Sequence, residues 1–229
     1  DIIDVGGEST RPGSKGVSAE VELERVLPVI SRLRSHCDVL ISVDTMKAVV
    51  AREAVARGAD IVNDVSGLTM DADMLSSVAD TDAGIVIMHM RGTPETMQDG
   101  ALACEDIMGL VKGSLKERLA GLEAAGIDLE RVCIDPGIGF GKTPEQNLEL
   151  INRLDQLGEL GRPVVLGVSR KSVLGHVTGQ AVEARGAATS AAHAIGVMRG
   201  AQIFRVHDVA AARDVISVTC AVMKESLSR

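Results

Sequence analysis

Short apolar runs alternate with longer amphipathic stretches from one end of the chain to the other. The runs are Ile2–Val5, Leu40–Val43, Asp60–Val62, Ile85–Met88, Val132–Ile134, Val164–Val168 and Gln202–Val206. Each is continuous and rich in Val and Ile, the pattern of a strand covered on both faces. Between them the apolar residues recur at helical spacing. Val21, Leu23, Val26, Leu27, Ile30 and Leu33 form one such stripe, Val49, Val50, Ala54 and Val55 a second, and Ile107, Leu110, Val111, Leu115, Leu119 and Leu122 a third. That spacing predicts helices that bury one face. Helices are expected to stop at glycine just before a strand in Arg57-Gly58-Ala59 and Arg199-Gly200-Ala201. Two further helices, Ala187–Arg199 and Ala210–Leu227, carry many small apolar residues suited to packing on a sheet.

Strand and helix alternate with no linker-like break, which predicts one parallel sheet in a single domain over 1–229. An open doubly wound sheet and a (β/α)8 barrel both fit seven strand–helix units. The barrel is favoured because polar, reactive residues follow nearly every strand, whereas an open sheet concentrates its site at one switch point. A barrel needs an eighth strand. Because the chain begins inside a strand, we expect one β/α unit to lie upstream, making this an N-terminally truncated barrel.

Composition narrows the function. Of 229 residues, 45 % are hydrophobic and 24 % charged, but only two are Phe and none is Trp or Tyr. There are no aromatic platforms for stacking single-stranded nucleic acid. The net charge of −8 argues against general binding to a phosphate backbone. A small anionic ligand is still accessible through a few local cations. Cys37, Cys104, Cys133 and Cys220 show neither C-x-x-C nor metal-ligand spacing, so they read as small buried hydrophobes in a reducing compartment, the cytoplasm. No apolar run is long enough to span a membrane.

The strand ends carry the chemistry. In order they offer Gly6–Gly13, then Asp44 and Thr45, Asn63 and Asp64, and His89 and Arg91. Next come Asp135 with Pro136–Lys142, then Ser169–Ser172, and finally Arg205, His207 and Asp208. In a barrel these converge on one mouth. Carboxylates and an amide suit the paired N–H donors of a guanidine-like ring edge, and the cations suit a phosphate ester. Each residue also has a plainer reading. Asp44 could cap a helix, Asn63 or Asp135 could shape a turn, and Lys171 could be a solvated lysine. His89 is ambiguous, and His207 alone could be structural. Arg205 ends an apolar strand and needs an anionic partner there. The glycine run lacks Walker spacing, since Pro136 stands where glycine is required, and reads as a tight loop that lets backbone approach a ligand.

The combined phrases resemble one family. DVGGESTRPGS at Asp4–Ser14, ISVDT at Ile41–Thr45, IVNDVSG at Ile61–Gly67 and MHMRG at Met88–Gly92 match dihydropteroate synthases in order. So do DPGIGFGK at Asp135–Lys142, SRKS at Ser169–Ser172 and RVHDV at Arg205–Val209. These enzymes join 6-hydroxymethyl-7,8-dihydropterin pyrophosphate to p-aminobenzoate. The resemblance implies that Asp44, Asn63, Asp135 and Lys171 hold the pterin. Thr10, Arg11, Arg205 and His207 would meet the pyrophosphate. Thr10, Pro12, Phe140, Lys171 and Ser172 would shape the p-aminobenzoate site. Lys171, Arg205 and His207 would be the catalytic set.

The resemblance also implies Mg2+ as cofactor, a homodimer formed through late helices, and a role as sulfonamide target. One departure stands out. The family's first strand and loop, a stretch like NVTPDSFSDGG with the Mg2+-binding Asn, has no counterpart here, so no metal ligand is assigned in this sequence. The other readings are a corrinoid-type methyltetrahydrofolate methyltransferase, which binds no pyrophosphate, and a non-catalytic pterin-binding fragment or paralogue.

Overall fold

The computed structural model describes residues 1–100, 102 and 104–226. Its elements alternate as expected: β1 (Ile2–Gly6), α1 (Ala19–Arg34), β2 (Leu40–Asp44), α2 (Ala48–Ala56), β3 (Ile61–Asp64), α3 (Met74–Ala79), β4 (Gly84–Met88) and α4 (Ile107–Ala124). There follow β5 (Val132–Asp135), α5 (Pro144–Asn152), β6 (Val165–Leu166), α6 (Ser172–Thr178), α7 (Gly186–Met198), β7 (Ile203–Phe204) and α8 (Val209–Lys224). Of the last helix expected from the sequence, Leu227 lies outside the described residues.

All strand pairs are parallel, and neighbours in space are neighbours in sequence. A single bridge from Ile134 to Val164 links the five-stranded ladder to the β6–β7 pair. The order β1 to β7 contains no reversal, so there is no switch point of the doubly wound kind. The ends of this series also meet: Arg205, just after β7, donates from Nε to Asp4 Oδ2 in β1 at 2.6 Å. A sheet whose last strand reaches its first is wrapped, not open. The fold is therefore a parallel α/β barrel. Among the described residues no ladder joins β7 to β1, and the Arg205 side chain spans that gap.

The sixth and seventh strands are shorter than their apolar runs. Pro163 has no N–H to donate, and the Val164 N–H is taken by the Gln202 side chain at 2.8 Å. The third strand starts after Asp60, whose carboxylate accepts from Ile41 N at 2.8 Å and pairs with Arg34. Both glycine stops are present, with Gly58 at φ +104° and Gly200 at φ +88°. The core joins the outer strand faces to the helix stripes through Val26, Ile30, Ile41, Val43, Ile85, Ile87, Ile134 and Leu166. Aliphatic side chains supply nearly all of it, as the composition demands. The lumen is less filled. A largely apolar cavity of about 520 Å³ runs through it from Ile2 and Val165 to Ile216 in α8. Among the described residues, no helix is long and apolar enough to cross a membrane.

Candidate active site

Side chains alternate along a strand, so ladder register decides which residues share a face. Gly6 pairs with Asp44, Asp44 with Asn63, Asn63 with Val86, and Met88 with Asp135. Asp4, Asp44, Asn63, Met88 and Asp135 therefore all point inward at the carboxyl ends of their strands. Above them lies a cavity of about 230 Å³. Its wall includes Asp4, Thr10, Asn63, Asp135, Phe140, Ser169, Lys171, Arg205 and His207. The strand-end residues do converge on one mouth.

Arg205 finds the anionic partner its position demands, and finds two. Its Nε donates to Asp4 and its Nη2 to Asp44 Oδ2 at 2.9 Å. Each carboxylate keeps one buried oxygen, Asp4 Oδ1 and Asp44 Oδ1, with no hydrogen-bond partner among the described residues. Burial and the adjacent Asp4 charge raise Asp44 to about 7, against the pull of Arg205. The helix-cap reading of Asp44 is excluded, because Lys47 occupies that position before α2. Asp44 does not line the cavity itself. It is buried and accepts from Arg205, which does line it.

Lys171 stands at the N-cap of α6 but is no solvated lysine. Its ammonium turns inward, donates to the Ile138 carbonyl and lies 4.6 Å from the Phe140 ring centroid. Burial pushes it down to about 8, with Asp135 pulling the other way. Asp135 is raised by burial and held down by Lys171 and by the Gly137 N–H, which donates to its Oδ1 at 2.6 Å. The turn reading of Asp135 is thus correct for one oxygen, and the other makes no hydrogen bond among the described residues. Asn63 makes no side-chain hydrogen bond among the described residues. His207 Nδ1 lies 3.0 Å from Ser169 Oγ. Burial, then Arg170, Arg205, Arg11 and Lys171, lower the His207 pKa, so the ring is neutral near pH 7.

The glycine loop does something other than expected. Gly137 has φ +68°, and a Cβ there would fall 2.0 Å from the His89 carbonyl oxygen. The backbone is packed against protein. It wraps the buried Lys142 ammonium, which donates to the carbonyls of His89, Gly137 and Phe140 at 3.0, 2.8 and 3.0 Å. The loop is a shell around a cation, and that shell positions Asp135, Ile138 and Phe140.

Some expected residues stay outside the cavity. Arg11, Pro12 and Ser172 are exposed at its rim, although the Arg11 charge reaches His207. His89 is buried away from it and pushed to about 3 by burial and by the Lys142 and Arg91 charges. Arg91 is spent on Gly141, Leu102 and Gln146. Sequence reasoning gave no role to Asp4, Ser169 or Lys142. Asp4 had a readable signal, a carboxylate inside the otherwise apolar run Ile2–Val5. Ser169 and Lys142 had only their place in the strand-end runs, since His207 and the His89 carbonyl, which they meet, lie 38 and 53 residues away.

A family profile described as "Pterin binding enzyme" matches residues 1–207. The chain belongs to the pterin-binding enzyme family. Within it, this pterin-binding enzyme groups with the dihydropteroate synthases, which are transferases. It is 42% identical over 224 residues to the dihydropteroate synthase of Synechocystis sp., covering 97% of this chain and 77% of that one. The Yersinia pestis dihydropteroate synthase, solved with a sulfonamide drug, superposes with a TM-score of 0.94 at 37% identity, covering 97% of this chain and 80% of that one. The Xanthomonas albilineans enzyme, solved with 4-aminobenzoic acid, gives 0.91 at 45% identity, covering 97% and 79%. The family expected from the strand-end phrases is the family found.

Proposed function

We propose that this chain condenses 6-hydroxymethyl-7,8-dihydropterin pyrophosphate with p-aminobenzoate, releasing pyrophosphate and 7,8-dihydropteroate. The observation that carries this reading is the polarity of the 230 Å³ cavity. Its floor offers acceptors and an amide, from Asp135 and Asn63, and its rim offers Lys171, Arg205 and His207. A flat heterocycle with a donor edge and an anionic tail fits that order. The family relationship supplies the two substrates.

In this reading the free oxygen of Asp135 accepts from the pterin edge. The Asn63 amide and the Lys171 ammonium complete the ring's hydrogen bonds. Asp44 offsets positive charge as the pterin methylene–oxygen bond ionises. Arg205, His207, Thr10 and Arg11 receive the departing pyrophosphate. Preorganised cations facing a developing anion are the strongest stabilisation such a site can supply. The arylamine then attacks the pterin cation, in the space shaped by Thr10, Pro12, Phe140, Lys171 and Ser172. The amine is already nucleophilic, so no strong base is required, and the proton it sheds as the C–N bond forms passes to the departing pyrophosphate or to solvent. A neutral His207 anchored by Ser169 suits a hydrogen-bonding role.

Mg2+ is expected with the pyrophosphate, and no residue of this chain is assigned as its ligand. Among the described residues no three His, Cys, Asp or Glu side chains cluster as metal ligands. No step above is routed through the metal. We further place the chain in the cytoplasm, and assign a homodimer to the outer face of α7 and α8, where Ile195, Met198, Val218 and Val222 are exposed. The deciding assay supplies both substrates with Mg2+ and measures pyrophosphate and dihydropteroate. Turnover, reduced at least about 10²-fold in Lys171→Ala as for loss of a major electrostatic contact, is the expected result. Pterin binding without turnover would replace this reading with the non-catalytic one.

A further inference from the structure

The loop between β1 and α1 carries Thr10, Arg11 and Pro12, yet its tip has little of its own to hold it. Ser14 Oγ bonds the carbonyls of Ser9 and Arg11 at 2.5 and 2.6 Å, and Gly13 N reaches Pro94 O at 2.9 Å. The neck is built differently. One oxygen of Glu8, Oε2, accepts from Val17 N at 2.7 Å, tying the start of the loop to its end. The same oxygen receives Lys47 Nζ at 2.7 Å, and Lys47 also donates to Glu22 Oε2 at 2.6 Å. Glu22 is wholly buried in α1. Beside it the backbone of Gly7 presses so closely that a Cβ would sit 2.9 Å from Glu22 Cγ, and Arg25 donates to the Gly7 carbonyl at 2.7 Å. A buried carboxylate in a helix, and a lysine opening α2 three residues after Asp44, thus converge on one loop.

We propose that Glu8 is a positioning residue: clamped by Lys47, it closes the neck of the 9–16 loop and sets where Thr10 and Arg11 stand over the cavity. The arrangement goes beyond what fold stability asks. Charges at this depth are costly unless paired, and an apolar packing of α1 on β1 would avoid the cost. Burial works against the Lys47 charge, but the carboxylates of Glu22 and Glu8 outweigh it and raise its pKa. The clamp therefore persists through neutral pH. It also links the loop to the end of β2, so that the pyrophosphate contacts and the Asp44 carboxylate share one rigid base. The kinetic side of this proposal rests on the activity proposed above.

Glu8→Ala is the informative variant, because it leaves the buried Lys47–Glu22 pair intact. Trypsin supplies a readout independent of activity. Within the loop it can cut after Lys15, whereas Arg11 is protected by Pro12. Cleavage after Lys15 should accelerate about tenfold as the neck opens. In the same variant, KM for p-aminobenzoate should rise about tenfold, within the range expected for a misplaced contact, and affinity for the dihydropterin pyrophosphate, whose pyrophosphate meets Thr10 and Arg11, should fall with it. Glu8→Gln keeps an acceptor for Val17 N but gives up the charge on Lys47, and should recover part of these effects. Unchanged cleavage and unchanged KM in Glu8→Ala would overturn the proposal. Faster cleavage with unchanged KM would also overturn it, leaving a clasp without a positioning role. Absence of turnover in the parent chain would count against the activity, and the cleavage rates would still decide whether the clamp exists.

Discussion

Arg205→Met tests the charge arrangement at the β1–β7 gap. Methionine keeps much of the stem length and removes the guanidinium that Asp4 and Asp44 share. Asp44 is 6% exposed and raised to about 7. Its folded pKa lies above its ordinary value of 3.8, so the fold favours the protonated form. The cost of burying its charge is absent at low pH, grows as pH rises toward about 7, and is complete above. Removing Arg205 takes away an attraction to the ionised form, so the variant's pKa rises further and the extra cost appears only above about pH 7. The variant can avoid that cost by staying protonated, which caps it at roughly 1.4 kcal/mol for each pH unit above about 7. At about pH 8.5 the loss is then at most about 2 kcal/mol, and at about pH 6 it is near zero for this group. The partly exposed Asp4 pairing adds less than about 1 kcal/mol at either pH. For a chain of this length, about 2 kcal/mol corresponds to a Tm drop of about 4–8 °C. Calorimetry of parent and variant at about pH 6 and about pH 8.5 measures the difference directly. An equal Tm loss at both values would refute the reasoning, since it would mean that the arginine matters for packing and not for the charge it pairs with.

Two further variants probe the loop and the scaffold. Gly137→Ala places a methyl 2.0 Å from the His89 carbonyl oxygen at a left-handed φ, so it should lower Tm by more than about 5 °C and abolish pterin binding, consistent with backbone strain at an over-determined site; near-parental values on titration calorimetry would contradict the packing described. Thr143→Ala breaks the capping box with Gln146 at the start of α5, which should cost about 1 kcal/mol and leave kcat/KM unchanged, as separate thermal and kinetic measurements would show.

The legibility of this chain follows from the range of the interactions involved. Continuous Val- and Ile-rich runs and helical stripes are local patterns. They yielded seven strands in order, the helices between them, and the glycine stops at Gly58 and Gly200. The strand-end phrases yielded the family and most of the cavity wall, because residues that follow each strand of a barrel must meet at one end. Parity along β1 to β5 even made the inward face readable once register was known. What the sequence could not state is how far each residue stands from the ligand space. Asp44 could have capped α2 and proved to be a buried carboxylate paired with Arg205. The glycine loop looked like a ligand cradle and proved to be a shell around the Lys142 ammonium. Asp4 joins Arg205 across 201 positions of sequence, and Lys47 joins Glu8 across 39. The first pairing forms only when the sheet wraps and brings its last strand near its first, and the second only when β1 and β2 lie side by side. Local chemistry determined the elements and the kind of site, whereas the wrapping of the sheet and the order of its strands decided which charges pair with one another.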